Sequence, residues 1–189
     1  VGWILGGDND PHETREEIRQ LALGLKEAAP KHLLTYHASS SHSSTDVWPA
    51  EPWLDVSMVY TYFRGFNKAW TKDMPDVYEV SWREYAKPIR RPFFLGESTY
   101  EGEHDAWGSA LQARKQAYWV MLGGGAGHAY GSPNWRCEPG WREGLQRPGA
   151  LSLRHWHHLF SSRPWWTLEP DRTNTVAVAG QGPFATNDY

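Results

Sequence analysis

Short apolar runs alternate with amphipathic stretches along this chain. Trp3, Ile4 and Leu5 sit in a run over residues 1–6 that is too brief for a helix and is closed by Gly6-Gly7, which predicts a buried strand. Asp10, Pro11 and Glu13 then fit an N-cap, a first helical position and the third position of a capping box. Ile18, Leu21, Ala22 and Leu25 share one face of the helix that follows, and Pro30 stops it. Leu33–His37 predicts a second strand. Residues 38–52 form a Ser-rich loop, with five Ser within 39–44 and then Trp48 and Pro49. It is too short and too aromatic-flanked to be a disordered linker. Leu54–Tyr62 predicts a third strand, rich in β-formers such as Val56, Val59, Tyr60 and Tyr62.

A helix is expected near Val77–Ala86, before Pro88. Arg91–Glu97 reads as a fourth strand, with Pro92 near its start and a carboxylate at its end. A helix near Trp107–Met121 is stopped by Gly123-Gly124-Gly125. Gly127–Gly131 reads as a fifth, short strand, and a last helix runs roughly from Trp141 to Phe160. Beyond Pro164 the pattern is irregular, with one more strand expected at Thr175–Ala179.

Strand centres therefore fall near Leu5, Thr35, Val59, Leu95 and His128, close to the ~30 residues of a βαβ unit. Such alternation means a parallel sheet covered by helices. An open doubly wound sheet and a (β/α)8 barrel both fit. No G-x-G-x-x-G follows the first strand, so dinucleotide binding has no support.

Composition narrows the function classes. The 189 residues carry 22 acidic and 19 basic side chains, a formal charge of -3. That balance gives no basic footprint for nucleic acid. The apolar runs are far shorter than the ~20 residues of a spanning helix, so no membrane role is expected. The single cysteine, Cys137, excludes an internal disulfide framework and a Cys-based zinc site. Twelve Trp is an unusually high number for this length. The chain also opens at Val1 directly on its first apolar run, which suggests a fragment.

In a parallel barrel the chemistry sits at the C-terminal ends of strands. Those ends carry Asp8 and Asn9, then His37, then Tyr60 and Tyr62, then Glu97 with Tyr100, then His128 and Tyr130. Trp48 and Trp135 occupy strand-end loops. Two carboxylates among aromatics and histidines are the inventory of a sugar-cleaving site: one to protonate the leaving oxygen, one to attack or to activate water. Glu101 and Glu103 read instead as a solvated loop face, and His155, His157 and His158 as surface of the last helix. No H-E-x-x-H or Cys cluster supports a catalytic metal, and no G-x-S-x-G elbow supports a serine nucleophile. No cofactor is expected.

The segments Val1–Asn9 (VGWILGGDN), Lys31–His37 (KHLLTYH), Glu51–Met58 (EPWLDVSM), Pro92–Glu101 (PFFLGESTYE), Ala117–Gly131 (AYWVMLGGGAGHAYG) and Pro148–Ala150 (PGA) together resemble the apiosidase-like glycoside hydrolases. The resemblance runs in order over nearly the whole chain. It implies a (β/α)8-barrel catalytic domain, with Asp8 as general acid/base at the end of barrel strand four and Glu97 as nucleophile at the end of barrel strand seven. Residues 1–172 would then be the C-terminal five βα units, strands four to eight, and 173–189 the start of a linker into a C-terminal β domain. Three N-terminal βα units would be absent. A Gly-Asp pair at Gly7-Asp8, where Asn-Glu is commoner in barrel glycosidases, sets the carboxylate back by one methylene. By the same resemblance the full-length protein would be secreted or periplasmic.

The expected activity is hydrolysis of an O-glycosidic bond in a polysaccharide, with apiose-containing pectin among the candidates and retention of configuration favoured. Asp8, buried beside Glu97, would donate the proton. Asn9, His37, Tyr60, Tyr62, Tyr100, His128 and Tyr130 would position hydroxyls, and Trp48 and Trp135 would stack on sugar rings. The alternative is a non-catalytic carbohydrate-binding barrel, which needs the aromatics but not both carboxylates.

Overall fold

The computed structural model describes residues 2–66, 74–187 and 189. Val1, the first residue of the expected first strand, lies outside them. Strand β1 (Gly2–Gly6) pairs in parallel with β2 (Leu33–His37), from Gly2 opposite Leu33 to Gly6 opposite His37. Strand β3 (Ser57–Tyr60) pairs in parallel with β4 (Phe93–Glu97), with an irregularity between Val59 and Tyr60. Helices α1 (Arg15–Ala28), α3 (Val77–Tyr85) and α4 (Ala110–Leu122) supply the crossovers, and α6 (Pro148–Ser161) packs on α4.

The two pairs belong to one series. The amides of Asp55 and Val56 both reach the carbonyl of Leu34, so the start of β3 meets β2. Residues 126–129 run beside β4: Ala126 N donates to Phe93 O at 2.7 Å and Ala129 N to Leu95 O at 2.8 Å. Gly127–Gly131 was expected as a full strand and forms only this short ladder, with one parallel bridge from His128 to Leu95. Each strand thus neighbours the next in sequence, and the order never reverses. A doubly wound sheet requires a reversal, so the dinucleotide-type topology is excluded for these elements.

The Ser-rich loop explains the gap between β2 and β3. Ser44, in the short helix α2 (Ser44–Val47), donates its hydroxyl to Tyr36 O at 2.6 Å and accepts from Met58 N at 2.7 Å. Ser43 bridges Val59, and Ser41 N donates to Tyr60 O at 2.8 Å. Small hydroxyl residues are needed because the loop wedges between two strands and must satisfy their backbone groups. The loop is anchored behind by Glu84 of α3, which accepts from the hydroxyls of Ser43 at 2.6 Å and Thr45 at 2.5 Å and pairs with Lys87 at 2.7 Å.

Several expectations are corrected. Helix α1 starts at Arg15 with Thr14 at its N-cap and no side-chain cap bond. Asp10 is drawn away instead: it accepts from Ser39 N at 3.0 Å and meets His42 Nδ1 at 2.7 Å. Leu21 faces solvent, while Ala22, Ile18 and Leu25 supply the buried stripe. The expected last helix is two, α5 (Trp141–Gly144) and α6, separated before Pro148. No strand forms at Thr175–Ala179; the Asp171 carboxylate gathers the amides of Thr175 and Val176 into a turn there. Farther along, Phe184 stacks on Trp82 and Tyr189 on Tyr78, so this segment lies against α3.

Two apolar clusters cover the outer side of the strands, one around Leu34, Trp48 and Trp53, the other around Val59, Val77, Leu95 and Val120. The inner side is different. Gly2, Ile4, Leu33, Phe94, Ala126 and His128 line an open apolar trough of about 830 Å³, with Ile4 56% and Leu33 55% exposed. Among the described residues, no helix is long and apolar enough to cross a membrane.

Candidate active site

The chain leaves β1 through a left-handed turn. Gly6, Gly7 and Asp8 have φ of 79°, 154° and 57°. A Cβ on Gly6 would come within 2.7 Å of His37 O and of the Tyr36 ring, so only glycine fits there. Asp8 pays for its own φ without that freedom, a local strain typical of functional turns. The turn points the carboxylate toward β2. Asp8 Oδ1 stands 3.4 Å from His37 Nε2. The expectation that Asp8 is buried is overturned: its side chain is 68% exposed, because the turn projects it beyond the strand end.

His37 Nε2 also stands 3.2 Å from Glu97 Oε2. The other oxygen, Glu97 Oε1, accepts from Tyr62 at 3.0 Å and from Tyr100 at 3.1 Å. Burial alone would raise the Glu97 carboxyl, but His37, Tyr62 and Tyr100 outweigh it and hold the group below the ordinary carboxylate value. Burial and the neighbouring charge act together on the phenols: Tyr60 is pushed up to about 12, and Tyr62 and Tyr100 are raised further. Tyr60 packs edge-on against the His37 ring, centroids 4.9 Å apart. Five residues expected at the rim, Asp8, His37, Tyr62, Glu97 and Tyr100, are thus one connected cluster, with Tyr60 beside it.

The other expected residues fall elsewhere. Asn9 is exposed beside Asp8 and turns its amide to Gly7 O at 3.2 Å. Trp135 is 62% exposed and donates to Glu103 Oε1 at 3.1 Å. Tyr130 donates to Glu101 Oε2 at 2.6 Å rather than toward Glu97. His128 lies in the apolar trough below the rim, and burial depresses its imidazole to about 4. Its Nε2 has no hydrogen-bond partner among the described residues. Trp48 is corrected outright as a stacking platform. It is fully buried, edge-on to Tyr36 and Trp53, with the Arg15 guanidinium 4.0 Å from its ring centroid.

Other residues were missed. A cavity of about 590 Å³ opens beside Asp8, and Ser39, Ser40, His42, Phe66 and Met74 line it with Asn9, Tyr60 and Tyr62. Its size suits a sugar-sized ligand. The Ser run was visible as a loop, but nothing local said that it folds over the β2 end. Glu101 was read as solvated and is buried at 5%. It accepts from Gly149 N at 3.0 Å as well as from Tyr130, so its charge sits at the N-terminus of α6. A Cβ on Gly149 would meet it at 2.3 Å.

Asp8, His37 and Glu97 each offer a ligand atom, and these atoms lie within 4.8 Å of one another. The trio can therefore serve as an acid/base pair bridged by an imidazole, or as donors to a cation. Among the described residues no other trio has this spacing.

The chain is similar to a solved glycoside hydrolase at 25% identity and a TM-score of 0.73, covering 86% of this chain and 43% of that one. It is likewise similar in fold to a glycoside hydrolase family 5 protein from Bacteroides vulgatus ATCC 8482, at 23% identity and a TM-score of 0.75, covering 86% of this chain and 42% of that one. It therefore spans less than half the length of either structure. The chain belongs to the apiosidase-like family: the model of that family's catalytic domain matches residues 1–167. No curated protein matches it.

Proposed function

We propose that this chain carries the catalytic carboxylates of a retaining glycosidase acting on a polysaccharide. Asp8 is the general acid/base and Glu97 the nucleophile. The observation that carries the reading is spacing: oxygens of the two carboxylates lie within 4.8 Å across His37. Retaining enzymes hold their carboxyls about 5–5.5 Å apart, and inverting ones about 6.5–9.5 Å to admit a water. Glu97, ionised and oriented by two phenols, attacks the anomeric carbon while Asp8 protonates the leaving oxygen. Asp8 then takes a proton from the water that releases the sugar from Glu97. Asn9, Tyr60 and the Ser39–His42 loop line the space for the sugar, and the exposed ring of Trp135 is a stacking face for a longer substrate.

The strands are read as four to eight of a (β/α)8 barrel, with residues 1–172 in that catalytic domain and 173–189 leading onward from it. Two features support this reading. The parallel neighbours are strictly sequential, and the inner face is an apolar trough that further strands would fill.

The test is Glu97→Gln and Asp8→Asn in the full-length protein, assayed on aryl glycosides and on pectic oligosaccharides including apiose-bearing ones. Wild-type turnover in either variant overturns the assignment. The anomeric configuration of the first-formed product, read by proton NMR, checks retention. A second reading, metal-assisted hydrolysis, is favoured by the trio spacing and predicts activity lost to a chelator and restored by a divalent cation. Binding of oligosaccharide with no hydrolysis would instead indicate a carbohydrate-binding protein.

A further inference from the structure

We infer a second saccharide subsite on the loop that follows residues 126–129, built around Trp141. The inference rests on the glycosidase reading and extends it to a longer substrate. Glu101 N donates to Gly131 O at 3.0 Å, and a Cβ on Gly131 would strike the Tyr100 ring at 2.3 Å. The loop is therefore clamped against the segment that holds Glu97. Beyond the clamp it encloses a cavity of about 350 Å³ whose wall includes Asn134, Glu138, Trp141, Glu143 and Arg147.

Three features give that cavity sugar-binding chemistry. Trp141 is a large apolar ring left 40% exposed at the wall. Arg142 packs 4.4 Å from its centroid but is not part of the wall. Arg147 is half-buried and brings a guanidinium to the same wall. Glu138 and Glu143 add carboxylate acceptors to the same wall. An aromatic face flanked by a guanidinium and two carboxylates suits a ring with an apolar face and hydroxyls around its edge.

Charge selects the kind of sugar. Glu138 and Glu143 are balanced by Arg147 and by the Arg142 guanidinium 4.4 Å from the Trp141 ring, so no excess positive charge is left there to pair with a uronate. The occupant is a neutral glycosyl unit of an extended chain.

The experiment uses the full-length protein and Trp141→Ala, with Glu143→Gln as a second variant. Substrates are a short aryl glycoside and long neutral oligosaccharides of the gluco-, xylo-, arabino- and galacto-series, with an oligogalacturonide as the charged probe. Calorimetric titration is run alongside kinetics. Trp141→Ala should leave the short substrate unchanged and raise KM and Kd for a long neutral chain roughly tenfold, about the value of one aromatic contact. Unchanged KM and Kd across the whole series in both variants overturns the subsite. So does a Trp141-dependent preference for the oligogalacturonide. If wild type hydrolyses nothing yet Kd still depends on Trp141, the glycosidase reading fails and the subsite stands.

Discussion

His37 Nε2 lies 3.2 Å from Glu97 Oε2 and 3.4 Å from Asp8 Oδ1, so one imidazole spans both carboxylates. This fixes a direction for pH dependence. His37 helps to hold Glu97 below its ordinary value, which favours its ionised form. His37→Ala removes that influence and leaves the opposing effect of burial. The acid limb of kcat/KM should therefore move to higher pH. An unmoved limb would show that the imidazole does not tune Glu97.

Tyr62 and Tyr100 act on the other oxygen. Tyr62→Phe and Tyr100→Phe each delete one hydrogen bond to a charged acceptor, worth about 1.5–3 kcal/mol. Each should lower kcat about tenfold or more and move the same acid limb upward, and the double variant should move it further. Stability follows the same sign. A depressed carboxyl stabilises the fold above its unfolded value and loses that contribution as pH falls through its folded one. The wild-type advantage in Tm over the double variant should therefore be present at neutral pH and fade on acidification.

Much of this was legible in the chain. The pattern places Leu33–His37 to the residue and the strands around Leu5, Val59 and Leu95 in their central parts, because short apolar runs closed by Gly, Pro or Ser admit few alternatives, whereas it overstates Gly127–Gly131 and Thr175–Ala179. Asp8, His37 and Glu97 were legible as strand ends. Tertiary demand is what local reading could not supply. Asp10 fits a capping box in isolation, yet the Ser39 amide and His42, about thirty residues away, engage it. Glu101 reads as solvated until α6 docks its N-terminus on it. Nor does a Ser-rich run announce that it separates two strands, as Ser44 does.

The tryptophans make a paired test of that distinction. Trp48 is buried between Tyr36, Trp53 and Arg15, so Trp48→Ala leaves a large cavity and should cost about 3–5 kcal/mol. Trp135, 62% exposed, should cost under about 0.5 kcal/mol when changed to Ala. Urea denaturation separates the two. If Trp135 contacts sugar, Trp135→Ala should raise KM without lowering stability.

Behind the cleft, Glu84 and Lys87 should respond unequally to mutation. Glu84 is 3% exposed and serves Ser43, Thr45 and Lys87 together. Lys87→Met strands that carboxylate in a buried site, which should cost about 3–5 kcal/mol. Glu84→Ala is milder, because Lys87 is 22% exposed and keeps Asp46 at 2.7 Å. Its main loss is the acceptor for two hydroxyls, about 2 kcal/mol. Burial opposes ionisation of Asp46, but Lys87 and Ser43 win and hold its carboxyl below the ordinary value. Its contribution is present at neutral pH and lost as pH falls, so acid should narrow the gap between Lys87→Met and wild type. Both variants loosen the loop that wedges between β2 and β3 and carries Ser39, Ser40 and His42 to the cavity. Turnover should therefore fall with stability, and a second-site change that restores Tm without reseating Ser43 should not restore kcat.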